Sequence, residues 1–415
     1  MKLVDSAFDL HRNGEIPTNT YLVDLDTMRR NAAVLVQASA EAGIKNYYMT
    51  KQFGRNPLLC KAIVEAGIPS AVAIDIDETK ILHRNGFKVD HVGHLMQIPS
   101  LEVDFVVGKV RPEITTVYSF EKAKQIDRSA QKFGRTQKIM LRPVSPSDSF
   151  GPSTEGGTPV RELVKEVRRM SELRNIRVTG LTSFPSFRYD LKLRRITKTS
   201  NFETLIRAKS LIESETSTTI EQINAPGSSC TAGMKILAEE GATHAEPGHA
   251  FTGTTPWHAF DEKMPEIPAW VYVTEVSHVT PDRAYSISGG LPQSGYYGFF
   301  TMKYHQVFLY AMVEHGGEYR TILAEPPQLV NDVQAWPDFH TSLHQPEDFT
   351  LSVGDTVVFG FRPQVYVTRS KVAIATGIGT SNIKVVGIFD RYGNLLDDED
   401  RPEPFQKLEN LMKKV

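Results

Sequence analysis

Lys51 closes a short apolar run, Asn46-Tyr47-Tyr48-Met49-Thr50, and Gly54 and Pro57 follow it closely. An amine at the rim of a sheet loses part of its hydration. Its pKa then falls and it becomes a nucleophile toward carbonyl carbon. Taken alone, a solvated loop lysine is the commoner role for such a residue. Other parts of the chain change that weighing. Ala225-Pro226-Gly227-Ser228-Ser229 leads directly into a helical pattern at Thr231–Glu239. Gly227 allows the backbone close to an anion, Ser228 and Ser229 donate hydroxyls, and the helix start offers free N–H groups. Pro247-Gly248-His249-Ala250-Phe251-Thr252-Gly253 is a second glycine-bearing loop, with Gly248 and His249 at its start, and Glu246 stands just before it.

A nucleophilic amine, two anion-binding loops and a carboxylate are what pyridoxal 5'-phosphate (PLP) requires. The amine holds the cofactor as a Schiff base, the loops bind its phosphate, and the carboxylate of Glu246 keeps the ring nitrogen protonated. Arg142, in Met140-Leu141-Arg142-Pro143, offers a guanidinium to a cofactor oxygen or a substrate carboxylate, with a structural ion pair as the competing role. Phe184, in Thr182-Ser183-Phe184-Pro185, is placed to stack on a ring, though a core phenylalanine is commoner. His91 and His94 are three apart, which on one strand points them to opposite faces. They are therefore not expected to share a metal, and His94 is the one assigned to the pocket. A metal set of His244, Glu246 and His249 is weak because Pro247-Gly248 intervenes, and no metal is expected.

Such groups need a scaffold that brings strand ends together. Brief β-branched runs alternate with helical patterns, with strands expected near 46–50, 71–75, 91–95, 115–118, 137–142, 177–181, 220–224 and 243–246. That count is the one a closed (β/α)8 TIM barrel uses, and barrel chemistry gathers at the C-terminal strand ends, with phosphate on the last two loops. Lys51 then ends strand one, Arg142 strand five and Glu246 strand eight. Between the strands, Asp77 is expected as an N-cap with Gly86 as the stop, and Glu121–Phe133 as a helix closed by Gly134. Beyond a proline-bearing stretch at 255–268, the runs Trp270–Val276, Ala284–Ser288, Val307–Val313, Thr356–Phe361 and Lys371–Thr376 read as strands without helical spacing, and Pro404–Lys414 as a last helix. The expected organisation is a barrel over 20–255 and a C-terminal all-β domain built from 256–415 with 1–19.

The chain has 415 residues and a net charge of −2, which gives no reason to expect nucleic acid or an anionic membrane as a partner. No apolar run approaches membrane-spanning length. The first residues, Met1-Lys2-Leu3-Val4-Asp5, meet charge too early for a secretory signal. Cys60 and Cys230 are the only cysteines, both in helical patterns, so no disulfide framework is indicated and a reducing, cytoplasmic setting is expected.

These residues together resemble the fold-type III PLP enzymes, the group of alanine racemase and the basic amino-acid decarboxylases, and within it the alanine-racemase-like branch called YhfX. Tyr21-Leu22-Val23-Asp24-Leu25 with Met28 and Asn31 is similar to the segment before the cofactor lysine, and Thr50-Lys51 stands in that lysine's position. His91-Val92-Gly93-His94-Leu95-Met96-Gln97 resembles a segment of small PLP-homeostasis proteins, which end after the barrel. Glu246-Pro247-Gly248 resembles the decarboxylase motif rather than the Arg-Pro-Gly of alanine racemases, with His249 where decarboxylases have arginine, and Phe184 replaces the family's ring-stacking histidine. Where D-threonine aldolases and D-serine dehydratases carry a zinc-binding His-x-Cys, this chain has Gln364-Val365-Tyr366, poor zinc ligands.

The resemblance implies a homodimer acting on a small amino acid, with a β-domain tyrosine as second acid/base. Tyr296 is taken for that role, with Tyr297 and Tyr366 as alternatives. The expected activity is amino-acid racemisation. A PLP-dependent decarboxylase or lyase is the alternative, lowered by the lack of a β-domain cysteine. A non-catalytic PLP carrier is the second alternative.

Overall fold

Alternation of short apolar strands with amphipathic helices builds a parallel barrel. A computed structural model describes residues 2–151, 154–261, 263–291, 309–325 and 338–415, and the backbone of 296–298 and 303–305. The barrel strands are Lys45–Asn46 with Tyr48–Met49, Ser70–Ala73, Lys88–Val92, Ile114–Val117, Gln137–Leu141, Ile176–Thr182, Gln222–Asn224 and His244–Ala245. Neighbours pair in parallel, and His244–Ala245 returns to pair with Lys45–Asn46, closing the ring. The sheet's nine segments are eight strands, because the first two are halves of one strand interrupted at Tyr47. Past the last pair, the Met49 N–H donates to the Pro247 carbonyl at 2.8 Å, tying the C-terminal ends of strands one and eight. The strands are buried on both faces, as a helix-covered parallel sheet demands.

Two local expectations shift. Helix Ile76–Arg84 starts on Asp75, not Asp77: Asp75 has extended backbone and its carboxylate accepts from the Glu78 N–H at 2.7 Å. Asp77 lies in the first turn, where a carboxylate favours the helix dipole. Strand three covers Lys88–Val92 rather than 91–95. The apolar run continues past Val92, but Gly93 turns the chain with φ +89°, and a Cβ there would lie 2.5 Å from the Thr116 carbonyl. Helix Phe120–Lys132 begins on Ser119, which accepts from the Lys122 N–H at 3.2 Å. A hairpin after strand six, Phe187–Asp190 with Arg195–Lys198, lay outside the sequence expectation.

Two units share the chain. The barrel's unit comprises Val34–Thr50 and Val64–Gly248, and the other comprises the chain up to Ala33, Lys51–Ile63 and His249–Val415. The second unit is organised on Trp270–Val279. This long strand pairs with Thr356–Phe359 along its middle and with Arg283–Ile287 beyond it. The ring continues through His340–His344, Glu318–Glu325 and Leu309–His315 back to Thr356–Phe359. Thr20–Asp24 adds to the other edge of Trp270–Val279, antiparallel to it and parallel to Lys371–Thr376, with Lys384–Phe389 outermost. The opening run at Tyr21-Leu22-Val23, expected to begin the barrel region at residue 20, is thus a strand of the β sheet. Each of its five residues is buried, so it takes a place between two strands.

Helix Lys2–Arg12, not expected from the sequence, packs Leu3, Val4, Ala7, Phe8 and Leu10 into a core with Leu22, Val271, Val273 and Val358. At ~25 cal/mol per Å2 of apolar surface, each such side chain contributes roughly 1.5–3 kcal/mol. Helix Phe405–Lys414 follows its proline as expected. Among the described residues, no helix is long and apolar enough to cross a membrane.

Candidate active site

Glu246 leaves the end of strand eight into the barrel interior, where its side chain is fully buried. Its Oε1 accepts from His91 Nδ1 at 2.7 Å and from Asn224 Nδ2 at 2.7 Å. Its Oε2 lies 3.2 Å from His94 Nε2 without hydrogen-bond geometry. Burial alone would raise the pKa of this carboxyl. The charges of His94 and His91, with hydrogen bonds from His91 and Asn224, outweigh that and take it to about 2, so Glu246 is an anion at neutral pH. His91 Nε2 faces the Thr116 hydroxyl at 2.7 Å, and Asn224 also donates to Thr182 Oγ1 at 3.1 Å.

This arrangement corrects the opposite-face reading of His91 and His94. His91 sits on the strand, but the chain has turned at Gly93 before His94, so both rings meet one carboxylate. Gln97 fastens that turn: its amide donates to the Gly93 carbonyl at 3.0 Å and the Thr116 carbonyl at 3.2 Å, and its Oε1 accepts from the Tyr118 N–H at 3.1 Å. The ligand-capable atoms of His91, His94 and Glu246 all lie within 4.8 Å of one another. His244, by contrast, stacks on Tyr47 with centroids 5.5 Å apart and bonds Thr243.

Arg142 ends strand five and is 1% exposed. It donates to the Tyr118 hydroxyl at 2.6 Å and the Phe184 carbonyl at 3.4 Å, and its plane covers the rings of Tyr118 and Phe150. Its Nε has no hydrogen-bond partner, and no carboxylate among the described residues pairs with it. Buried cations are ordinarily paired, so this one is suited to an anionic guest. Phe184 packs edge-on against His94, with centroids 5.9 Å apart.

The loop Gly227–Ser229 precedes helix Thr231–Glu239 as expected. Gly227 has φ +118°, and a Cβ there would lie 2.6 Å from the Phe187 carbonyl, so only glycine fits. Ser228 also takes the left-handed conformation, at φ 52°. Ser229 Oγ is buried without a hydrogen-bond partner. A buried hydroxyl left over beside a glycine turn and a helix start fits a phosphate, and an ionised carboxylate on the next strand fits a ring nitrogen.

In the other unit, Lys51 follows directly on Thr50 and opens the single turn Lys51–Phe53. Its Nζ lies 5.8 Å from the centroid of the Tyr366 ring, and the Arg55 guanidinium 5.6 Å from the same ring. Thr50 is itself held in the barrel's unit: its hydroxyl bonds the buried Glu78 carboxylate, which also accepts from the Ile74 N–H at 2.8 Å. His249 is buried, with Nδ1 3.3 Å from Thr254 Oγ1 and Nε2 3.4 Å from the Gln364 side-chain nitrogen. Burial, then the charges of Arg362, Lys51 and His258, push its pKa well below the usual histidine range, so it is a neutral imidazole. The side chain of Tyr296 lies outside the described residues, as does that of Tyr297. The residues absent from the sequence reading are Thr116, Tyr118 and Asn224. Their signal was a polar side chain close to a barrel strand's C-terminal end.

A parallel barrel with a glycine-serine loop after strand seven, a carboxylate at strand eight and a lysine after strand one, continued by a β domain, is the architecture of the alanine racemase fold. The "Alanine racemase, N-terminal domain" family matches residues 23–256 and the "YhfX-like, C-terminal domain" family residues 271–385. The chain is 31% identical over 400 residues to the "Uncharacterized protein YhfX" of Escherichia coli K12, covering 95% of this chain and 96% of that one. It belongs to the alanine-racemase-like, fold-type III family, in its YhfX branch.

Solved structures of the same fold include the alanine racemase of Clostridium difficile 630 in complex with cycloserine, with TM-score 0.60, 14% identity, and 91% of this chain and 99% of that one covered. The D-threonine aldolase of Filomicrobium marinum aligns with TM-score 0.65 at 12% identity, over 91% and 95%. The diaminopimelate decarboxylase of Helicobacter pylori complexed with L-lysine aligns with TM-score 0.58 at 16% identity, over 97% and 99%.

Proposed function

We propose that the chain is a PLP-dependent enzyme acting at Cα of a small amino acid, an amino-acid racemase, working as a cytoplasmic homodimer. The observation that carries the reading is Glu246, a fully buried carboxylate held as an anion at the end of strand eight. Enzymes of the fold-type III family typically use PLP. When bound, PLP withdraws electrons from the bond broken at Cα.

The chain's own groups do the rest. Lys51 Nζ holds the cofactor covalently and carries a proton to and from Cα. Glu246 accepts from the protonated ring nitrogen. Gly227, Ser228 and Ser229, with Gly248, surround the phosphate, and His249 adds a neutral N–H. Arg142 offers its guanidinium to a cofactor oxygen or to the substrate carboxylate. Phe184 and His94 line the ring. A β-domain tyrosine, Tyr296, would serve as the second acid/base. Glu246-Pro247-Gly248 also favours a second reading, a decarboxylase or lyase, because a carboxylate at the ring nitrogen would suit loss of carbon dioxide or another group from Cα as well as loss of a proton.

A screen of free amino acids for Cα deuterium exchange tests the reading. The wild type is expected to exchange one of them and Lys51→Ala to lose that exchange. Exchange retained in Lys51→Ala would refute the assignment, and release of carbon dioxide in place of racemisation would select the second reading.

A further inference from the structure

Glu246 has two oxygens with different surroundings, and the difference has a source. Oε1 is saturated by His91 and Asn224, while Oε2 accepts no aligned hydrogen bond. His91 is wholly buried and bridges the carboxylate to Thr116, 2.7 Å on each side. We infer that His91 is a positioning residue for Glu246, a relay from Thr116 that engages Oε1 and leaves Oε2 for the ring nitrogen. This rests on the PLP reading above.

The proton count supports it. An ionised carboxylate only accepts, so His91 Nδ1 must carry a hydrogen. Nε2 then faces a hydroxyl that donates to a neutral ring or accepts from a charged one, and either way the Nδ1 hydrogen stays on Glu246. Thr116 thus fixes the histidine as a supporting carboxylate or carbonyl fixes a ligand histidine elsewhere. Asn224 adds a second donor to the same oxygen, so the carboxyl cannot rotate without losing two hydrogen bonds to a charged acceptor. Within the barrel's unit, the titratable groups facing Glu246 are His91, His94, Tyr47 and His244. Of these, His91 donates to Glu246 at 2.7 Å.

The test follows the carboxyl carbon of Glu246 by NMR in cofactor-free protein carrying labelled glutamate. In wild type the signal is expected to stay that of an anion from pH 8 down to pH 4. In His91→Gln it is expected to take up its proton at least one pH unit higher than in wild type, and in Thr116→Val to move the same way by less. An unchanged titration in both variants would overturn the inference, and Thr116→Val alone decides it if His91→Gln does not fold. In a second arm the proteins are loaded with PLP. The visible band of wild type should be independent of pH, and that of His91→Gln should change with pH where its carboxyl titrates. A band equally independent of pH in both would overturn the link to the ring nitrogen. A wild type that takes up no PLP would overturn the functional reading instead, while the carboxyl titration still decides whether His91 governs Glu246.

Discussion

Arg142 is a guanidinium inside a barrel with a hydroxyl, a carbonyl and two ring faces for company, and no described carboxylate. Removing a cation from water without an anion to receive it costs several kcal/mol, which hydrogen bonds to neutral oxygens only partly offset. Arg142→Met should therefore not lower the urea midpoint of the cofactor-free protein, yet should weaken amino-acid binding by about tenfold or more, ~1.4 kcal/mol. A lower midpoint with unchanged binding would make Arg142 a structural residue. At this scale the sequence located Arg142 and Glu246 directly after strand ends and Lys51 two residues beyond one. It misled at His91 and His94, because spacing on a strand says nothing once a glycine ends the strand between them. Thr116 and Asn224 were illegible because each is an ordinary polar residue until its partner across the barrel is known.

The element that matters most to the phosphate reading is the turn after strand seven. Gly227 is held at φ +118° with the Phe187 carbonyl where a side chain would begin, and Ser228 follows at φ 52°. Gly227→Ala must push the Phe187–Asp190 hairpin away or change the turn, at about 1–3 kcal/mol. The expected outcome is a protein that folds with a lowered melting temperature and binds PLP at least tenfold more weakly, read by absorbance titration. Wild-type PLP affinity in Gly227→Ala would remove this turn from the site. Periodicity placed the barrel strands within a few residues, since two-sided burial gives each a short continuous apolar run. It missed Glu318–Glu325 and His340–His344, whose sequences are half polar or more, and Lys384–Phe389, a short apolar run at the edge of the sheet. Helix Lys2–Arg12 escaped because its apolar stripe gains its meaning only from the sheet it covers.

At the scale of the whole molecule, the buried histidines give stability a direction with pH. His244 is lowered to about 4, first by burial and then by Lys45, and His249 lies well below its ordinary value. Between those values and the unfolded histidine pKa near 6.5, the unfolded chain binds more protons than the folded one. Stability is then fully present above about pH 6.5 and is lost as pH falls through that window. For His244 the loss at pH 5 is on the order of 2 kcal/mol. Glu246, lowered to about 2, adds its own loss as pH falls from the ordinary carboxylate value toward 2. The urea midpoint should fall steadily between pH 7 and pH 4.5. A flat profile there would mean these imidazoles are charged in the folded state.

Division of the chain into a barrel and a β domain was legible from the change of pattern near residue 255. The place of Thr20–Asp24 in the β sheet was not, because a strand preceding a barrel carries no mark of which sheet it will join. Borohydride reduction of the PLP-loaded protein with peptide mapping tests whether Lys51 holds PLP. The expected result is a yellow protein that bleaches on reduction, with the pyridoxyl group on Lys51. A protein that stays colourless with PLP, or an adduct on another lysine, would contradict it.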